Sequence, residues 1–168
     1  MRSMDLIIDG YNLLALDRRL DRGLEQSRNF IIKQLTRYHA AKPLNLTVVF
    51  DGWRSGSPNE TRIAQDGISI IYSRLGEKAD AVVIRLARER GSGAVVVSSD
   101  REIRTAVERF GVVALHAQEF HEILQDLDFR EGQSGFEDQF ARPSGQTSSK
   151  RLSKADRNRQ DKLRKLRL

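Results

Sequence analysis

Leu6-Ile7-Ile8-Asp9-Gly10-Tyr11-Asn12 opens with three apolar β-formers that stop at an aspartate, and the same design returns twice. Val48-Val49-Phe50 stops at Asp51, and Val95-Val96-Val97 stops, after Ser98 and Ser99, at Asp100. Short β-rich runs without polar alternation are buried on both faces, as parallel strands are. In open α/β sheets ligands bind in the crevice at the carboxyl ends of such strands, which is where each aspartate falls. Neighbouring strands lie about 4.8 Å apart, so three side-by-side strands would crowd their carboxylates into one small volume. Crowded carboxylates repel unless a cation joins them, and an oxygen-only cluster suits Mg²⁺ or Mn²⁺. Each aspartate also has a plainer reading as a turn residue or helix N-cap, and Asp100, directly before a helical pattern, is the most open to it.

Strand and helix patterns alternate between these anchors. A helix is expected over 24–42, with Phe30, Ile31, Leu35 and Tyr38 on its apolar side and Pro43 ending it. A strand over 46–51 is followed by a polar loop carrying Gly52, Gly56, Pro58 and Asn59, and Ile68, Ile70, Ile71 and Tyr72 mark another strand. Over 78–90, Ala79, Val82, Val83, Leu86 and Ala87 recur at helical spacing, with Gly91 in the closing position. A buried strand at 94–98 leads to a helix at 101–110, a short strand at 112–115 and a last helix around Phe120, Ile123, Leu124 and Leu127. The alternation predicts a three-layer α/β sandwich with a mostly parallel central sheet over 1–129. A Gly, Ser, Gln and Pro-rich linker is expected over 130–149 and a basic tail over 150–168, disordered or helical on binding.

Composition narrows the chemistry. With no cysteine among 168 residues, disulfides, thiolate catalysis and Cys-zinc sites are excluded. His39, His116 and His121 lack the spacing of a zinc pair, and Ser98 and Ser99 have no predictable histidine partner for a serine hydrolase. No Walker or dinucleotide-binding glycine motif is present, so no nucleotide cofactor is indicated. The first apolar run ends after three residues, and no stretch reaches the roughly 18 apolar residues of a membrane helix, so a cytoplasmic protein without a membrane partner is expected. The net charge of +6 is uneven: residues 142–168 hold ten Lys/Arg against two acids, leaving the rest of the chain mildly acidic. Such a tail suits polyanions, since each neutralised phosphate releases counterions, and Lys150, Arg151, Lys154, Arg157 and Arg159 are its candidate RNA contacts. Trp53 and Arg54, directly after Asp51, are placed to stack on an unpaired base and to meet a phosphate.

The segments Ile7-Ile8-Asp9-Gly10-Tyr11-Asn12, Val49-Phe50-Asp51-Gly52, Lys78-Ala79-Asp80 and Ser98-Ser99-Asp100, in that order, resemble the NYN domain family and most closely its YacP-like branch. The resemblance covers about 5–127. It implies a PIN-like fold and a metal-dependent endoribonuclease activity, the branch including a ribosome-dependent endonuclease that acts on messenger RNA. It further implies catalytic residues Asp9, Asn12, Asp51, Asp80 and Asp100, the four acids holding Mg²⁺ or Mn²⁺. Periodicity alone gives Asp80 no such role, since it lies in the first turn of its helix, where the dipole welcomes a carboxylate anyway. RNA, with the ribosome as a candidate site of action, is the expected partner. A non-catalytic RNA- or ribosome-binding module of the same fold and a small-phosphate hydrolase remain open alternatives.

Overall fold

The structure, a computed structural model, describes residues 3–17, 23–52, 57–132 and 152–168. Its strands are β1 (Asp5–Asp9), β2 (Asn45–Phe50), β3 (Thr61–Gln65), β4 (Ile68–Tyr72), β5 (Ala94–Val97) and β6 (Val113–Leu115). Its helices are α1 (Gly10–Leu14), α2 (Leu24–Ala41), α3 (Ala79–Arg90), α4 (Arg101–Glu108), α5 (Ala117–Gly132) and α6 (Lys154–Leu166). The six strands form one sheet in the order β3-β4-β2-β1-β5-β6, parallel except for β3. β1 is thus central, flanked by β2 and β5, and the three strands that end near Asp9, Asp51 and Asp100 lie side by side as expected.

The period-2 geometry of the strands divides their side chains between two cores. Leu6 and Ile8 of β1, Val48 and Phe50 of β2, and Val95 and Val97 of β5 face the layer formed by α1, α2 and α5. Ile7, Val49 and Val96 face α3 and α4, whose Val82, Val83, Leu86, Ile103 and Val107 fill the opposite side. The result is the three-layer α/β sandwich. Gly91, at φ 66°, closes α3 by sending its N–H to the Ala87 carbonyl. No described helix is long and apolar enough to cross a membrane.

Three elements depart from the sequence reading. β3 was read as part of a polar loop; all five of its residues are exposed, and it pairs antiparallel at the sheet edge through a two-residue turn in which Asp66 and Gly67 both have positive φ, 50° and 85°. α1 was read as loop, and it is a single helical turn and a half starting directly at Gly10.

The third departure is larger. Residues 154–166 form a helix seated on the body, so the reading of 150–168 as a tail is corrected for its described part. Ser153 and Asp156 make reciprocal side-chain to backbone hydrogen bonds, a capping box that starts α6. Leu166 is fully buried in the α2–α5 core, Leu163 and Leu168 pack against it, and the buried Tyr38 hydroxyl donates to the Leu166 carbonyl at 2.7 Å. Arg159 pairs with Glu119 of α5. Likewise α5 runs to Gly132, past the expected domain boundary, while the linker beyond it, 133–149, lies outside the described residues.

Candidate active site at the carboxyl edge of the sheet

Asp9 ends β1, Asp51 follows β2 by one residue, and Asp100 follows β5 by three, so all three come off neighbouring strand ends. Asp80, the second residue of α3, joins them from the layer on the other side. The acids face one another closely enough that the charges of Asp80 and Asp51 act on Asp9, and those of Asp100 and Asp51 on Asp80. Asp9 is only 2% exposed. Its burial first, and then those two neighbouring charges, push its carboxyl from 3.8 up to about 6, against hydrogen bonds from Asn12 that pull it down. Burial and the two nearby carboxylates raise Asp80 as well.

Asp9, Asp51 and Asp100 are each held by backbone or amide groups. Asn12 donates from Nδ2 to Asp9 Oδ2 at 2.7 Å and accepts the Ser99 N–H on Oδ1 at 2.9 Å, tying the end of β1 to the loop after β5. Its place in the site is therefore that of a clamp on Asp9, reached through the first turn of α1. Asp51 Oδ1 accepts the Ala79 N–H at 2.6 Å and so caps α3 from another strand, Lys78 at the N-cap making no side-chain cap of its own. Asp100 Oδ1 accepts the Glu102 N–H at 2.7 Å and caps α4, the plain role its position suggested.

The glycines of the two Asp-Gly pairs serve close protein contact. A Cβ on Gly10 would lie 2.3 Å from the Phe50 ring, and one on Gly52 would lie 1.9 Å from the Ser73 carbonyl oxygen. Ser73, buried, accepts the Gly52 N–H on Oγ at 3.0 Å and donates to the Glu77 carbonyl at 2.7 Å, stapling the Asp51 loop to the segment that enters α3. Gly52→Ala must push a backbone carbonyl aside and should cost roughly 1–3 kcal/mol, read as a lowered urea midpoint.

Among the described residues no three acidic or histidine side chains are gathered closely enough to hold an ion as they stand. The donor chemistry still fits a hard divalent cation. The donors are oxygen, the charges repel one another, and Mg²⁺ typically takes one or two carboxylates with waters and substrate phosphates completing its shell.

A cavity of about 610 Å³ opens beside Asp80, lined by Pro58, Leu75 and the cations Arg74 and Lys78. Glu77 is ion-paired with Arg74 at 3.5 Å, and Arg62 is engaged by Glu60. Of the expected RNA contacts, Trp53, Arg54, Lys150 and Arg151 lie outside the described residues. Lys154 and Arg157 are exposed on α6. Arg159, also on α6, pairs with Glu119 of α5. Sequence reasoning gave no role to Ser73, Tyr11, Tyr72 or Arg28, all of which meet at or behind this edge. Tyr72 carried a usable signal, since it ends a parallel strand beside β2.

A mostly parallel α/β sheet with acids at its carboxyl edge defines an α/β domain whose candidate site lies at the strand ends. The chain matches the YacP-like NYN domain over residues 6–167, through α6, and belongs to that family of PIN-like nucleases. Two solved structures of Rae1 (YacP) from Bacillus subtilis are similar to it. One, a tryptophan-to-leucine variant, shares 20% identity at a TM-score of 0.64, covering 79% of this chain and 80% of that one. The other shares 21% identity at 0.62, covering 76% and 77%. At these identities the likeness is one of fold. No curated relative matches the chain.

Proposed function

We propose that this protein is a metal-dependent endoribonuclease that hydrolyses RNA phosphodiester bonds at the acidic edge of its sheet. The observation that carries the reading is the burial of Asp9 at the end of the central strand, with Asp51 and Asp80 close enough to raise its pKa. Stability does not require a carboxylate there, because a neutral amide would accept the Asn12 hydrogen bond without the repulsion. Asp9, Asp51, Asp80 and Asp100 would hold Mg²⁺ or Mn²⁺, which supplies an activated water and stabilises charge on the phosphate and the leaving oxygen. Asn12 keeps the Asp9 carboxylate aimed and joined to the β5 end. Asp51 and Asp100, each held through one oxygen by a helix N–H, have their places set by the backbone. The cavity beside Asp80 gives room for a neighbouring nucleotide, with Arg74 and Lys78 to meet its phosphate. Lys154 and Arg157 on α6, with Lys150, Arg151, Trp53 and Arg54, extend the RNA contact, and RNA presented on the ribosome is a candidate target.

One observation favours a second reading, a non-catalytic RNA-binding module. Asp51 and Asp100 both cap helices, a role that needs no metal. Incubation with structured and single-stranded RNA in Mg²⁺, in Mn²⁺ and in EDTA, with and without ribosomes, decides between them. Internal cleavage that divalent ions support and EDTA abolishes is the expected result. RNA bound but intact in every arm would replace the nuclease with the module.

A further inference from the structure

An acid cluster repels the polyanion it is to cut, so the substrate strand needs cations at fixed positions beside it. The cavity beside Asp80 supplies Arg74 and Lys78 on one side. On the α2 face of the sheet stands Arg28, in the second turn of α2. Its guanidinium carbon lies 5.7 Å from the centroid of the Tyr72 ring, a cation–π arrangement. Tyr72 in turn stacks on Phe50 at 5.8 Å, and Phe50 immediately precedes Asp51. Tyr11 packs edge-on against the same Phe50 at 5.4 Å and directs its hydroxyl to the Asp51 carbonyl at a long 3.5 Å. Burial raises the pKa of that hydroxyl, while the Arg28 charge lowers it and the Asp51 charge raises it.

Several other arginines of the body are paired with carboxylates: Arg37 with Asp128 and Glu131, Arg85 and Arg62 with Glu60, Arg90 with Asp5, and Arg74 with Glu77 at 3.5 Å. Arg28 is half-buried and has no ion pair among the described residues. A cation–π contact leaves guanidinium N–H groups available at the ring's edge, and a guanidinium fork can take a phosphate through two parallel hydrogen bonds. We infer that Arg28, seated on Tyr72 beside the Tyr11 hydroxyl, binds the phosphate adjoining the scissile one, so that the RNA strand crosses the acids between Arg28 and the Arg74–Lys78 cavity. The inference rests on the nuclease reading above and adds a substrate-binding residue to it.

The test is binding of a short single-stranded RNA in EDTA across a salt series, followed by steady-state cleavage in Mn²⁺, for wild type, Arg28→Ala and Arg28→Lys. Arg28→Ala should flatten the slope of log K against log salt by about 0.7, the value of one phosphate contact on a single strand. It should raise KM roughly tenfold with kcat little changed, as loss of one charge-assisted contact made equally in ground and transition states does. Arg28→Lys should keep the slope and recover only part of KM, since an ammonium keeps the charge without the fork. The thermal midpoint of Arg28→Lys should match wild type, separating substrate binding from a role in packing the aromatic stack. Wild-type slope and KM in Arg28→Ala, with wild type binding and cutting normally, would overturn the Arg28 assignment and leave the nuclease standing. A wild type that neither binds nor cuts RNA would overturn both.

Discussion

Asp9→Asn will lower RNA cleavage by roughly a hundredfold to a thousandfold, the several kcal/mol that loss of a metal-held charge removes from transition-state stabilisation. The same substitution will make the metal-free protein more stable at neutral pH. In the unfolded chain Asp9 loses its proton near 3.8, and in the folded one near 6. Between those values the folded state binds more protons than the unfolded, so the Asp9 contribution to stability falls as pH rises through that window. The shift spans about two pH units at 1.36 kcal/mol each, so ionised Asp9 costs the fold about 3 kcal/mol at neutral pH. Asn keeps the shape and the Asn12 hydrogen bond and carries no charge. Urea midpoints in EDTA at about pH 5 and about pH 7.5 read the effect, with wild type losing stability between the two and the variant lacking this decline. Mg²⁺ or Mn²⁺ should then restore wild type more than the variant, because an ion that binds only the native state stabilises it. A variant that cuts as wild type does, or that melts below metal-free wild type with the same pH slope, would make Asp9 scaffolding.

The parts of this site that were legible in the sequence are those a one-dimensional pattern encodes. Unalternating apolar runs gave β1, β2 and β5, and the parallel-strand rule put Asp9, Asp51 and Asp100 at one edge. Asp80 needed the Lys78-Ala79-Asp80 resemblance, because it lies beside its helix's apolar stripe, where a carboxylate also suits the dipole. Arg28 had no signal at all: its meaning comes from Tyr72 and Tyr11, on two other elements, which only the folded sheet brings to it. β3 was missed although Asp66-Gly67 is a strong hairpin dipeptide, since its residues are exposed throughout and show no buried alternation. For α6 the sequence reading allowed a helix on binding but not its seat on the body. The Ser153–Asp156 capping box starts that helix, and Leu163 and Leu166 give it a narrow apolar edge whose docking site only the fold assembles.

That correction changes what truncation should do. A detached tail could be removed without harm to the body, but a chain ending before residue 152 strips Leu163, Leu166 and Leu168 from the α2–α5 core and deprives the buried Tyr38 hydroxyl of its acceptor. Loss of a cooperative fold, or aggregation on expression, is the expected result. Leu166→Ala isolates the packing part: burial is complete at this position, so the cavity and transfer terms together should cost about 2–5 kcal/mol, roughly 4–20 °C in Tm for a chain of this size. Arg159→Gln, which breaks a partly exposed pair with Glu119, should cost only about 0–1 kcal/mol. Lys154→Gln and Arg157→Gln should leave Tm in place and flatten the salt dependence of RNA binding by about 0.7 each, since both side chains are exposed and free of ion pairs among the described residues. The two readouts would divide α6 into an apolar edge that completes the fold and a basic edge proposed to meet RNA. If the truncated chain melts with the wild-type midpoint, the helix is not seated on the core, and its charge alone accounts for its presence.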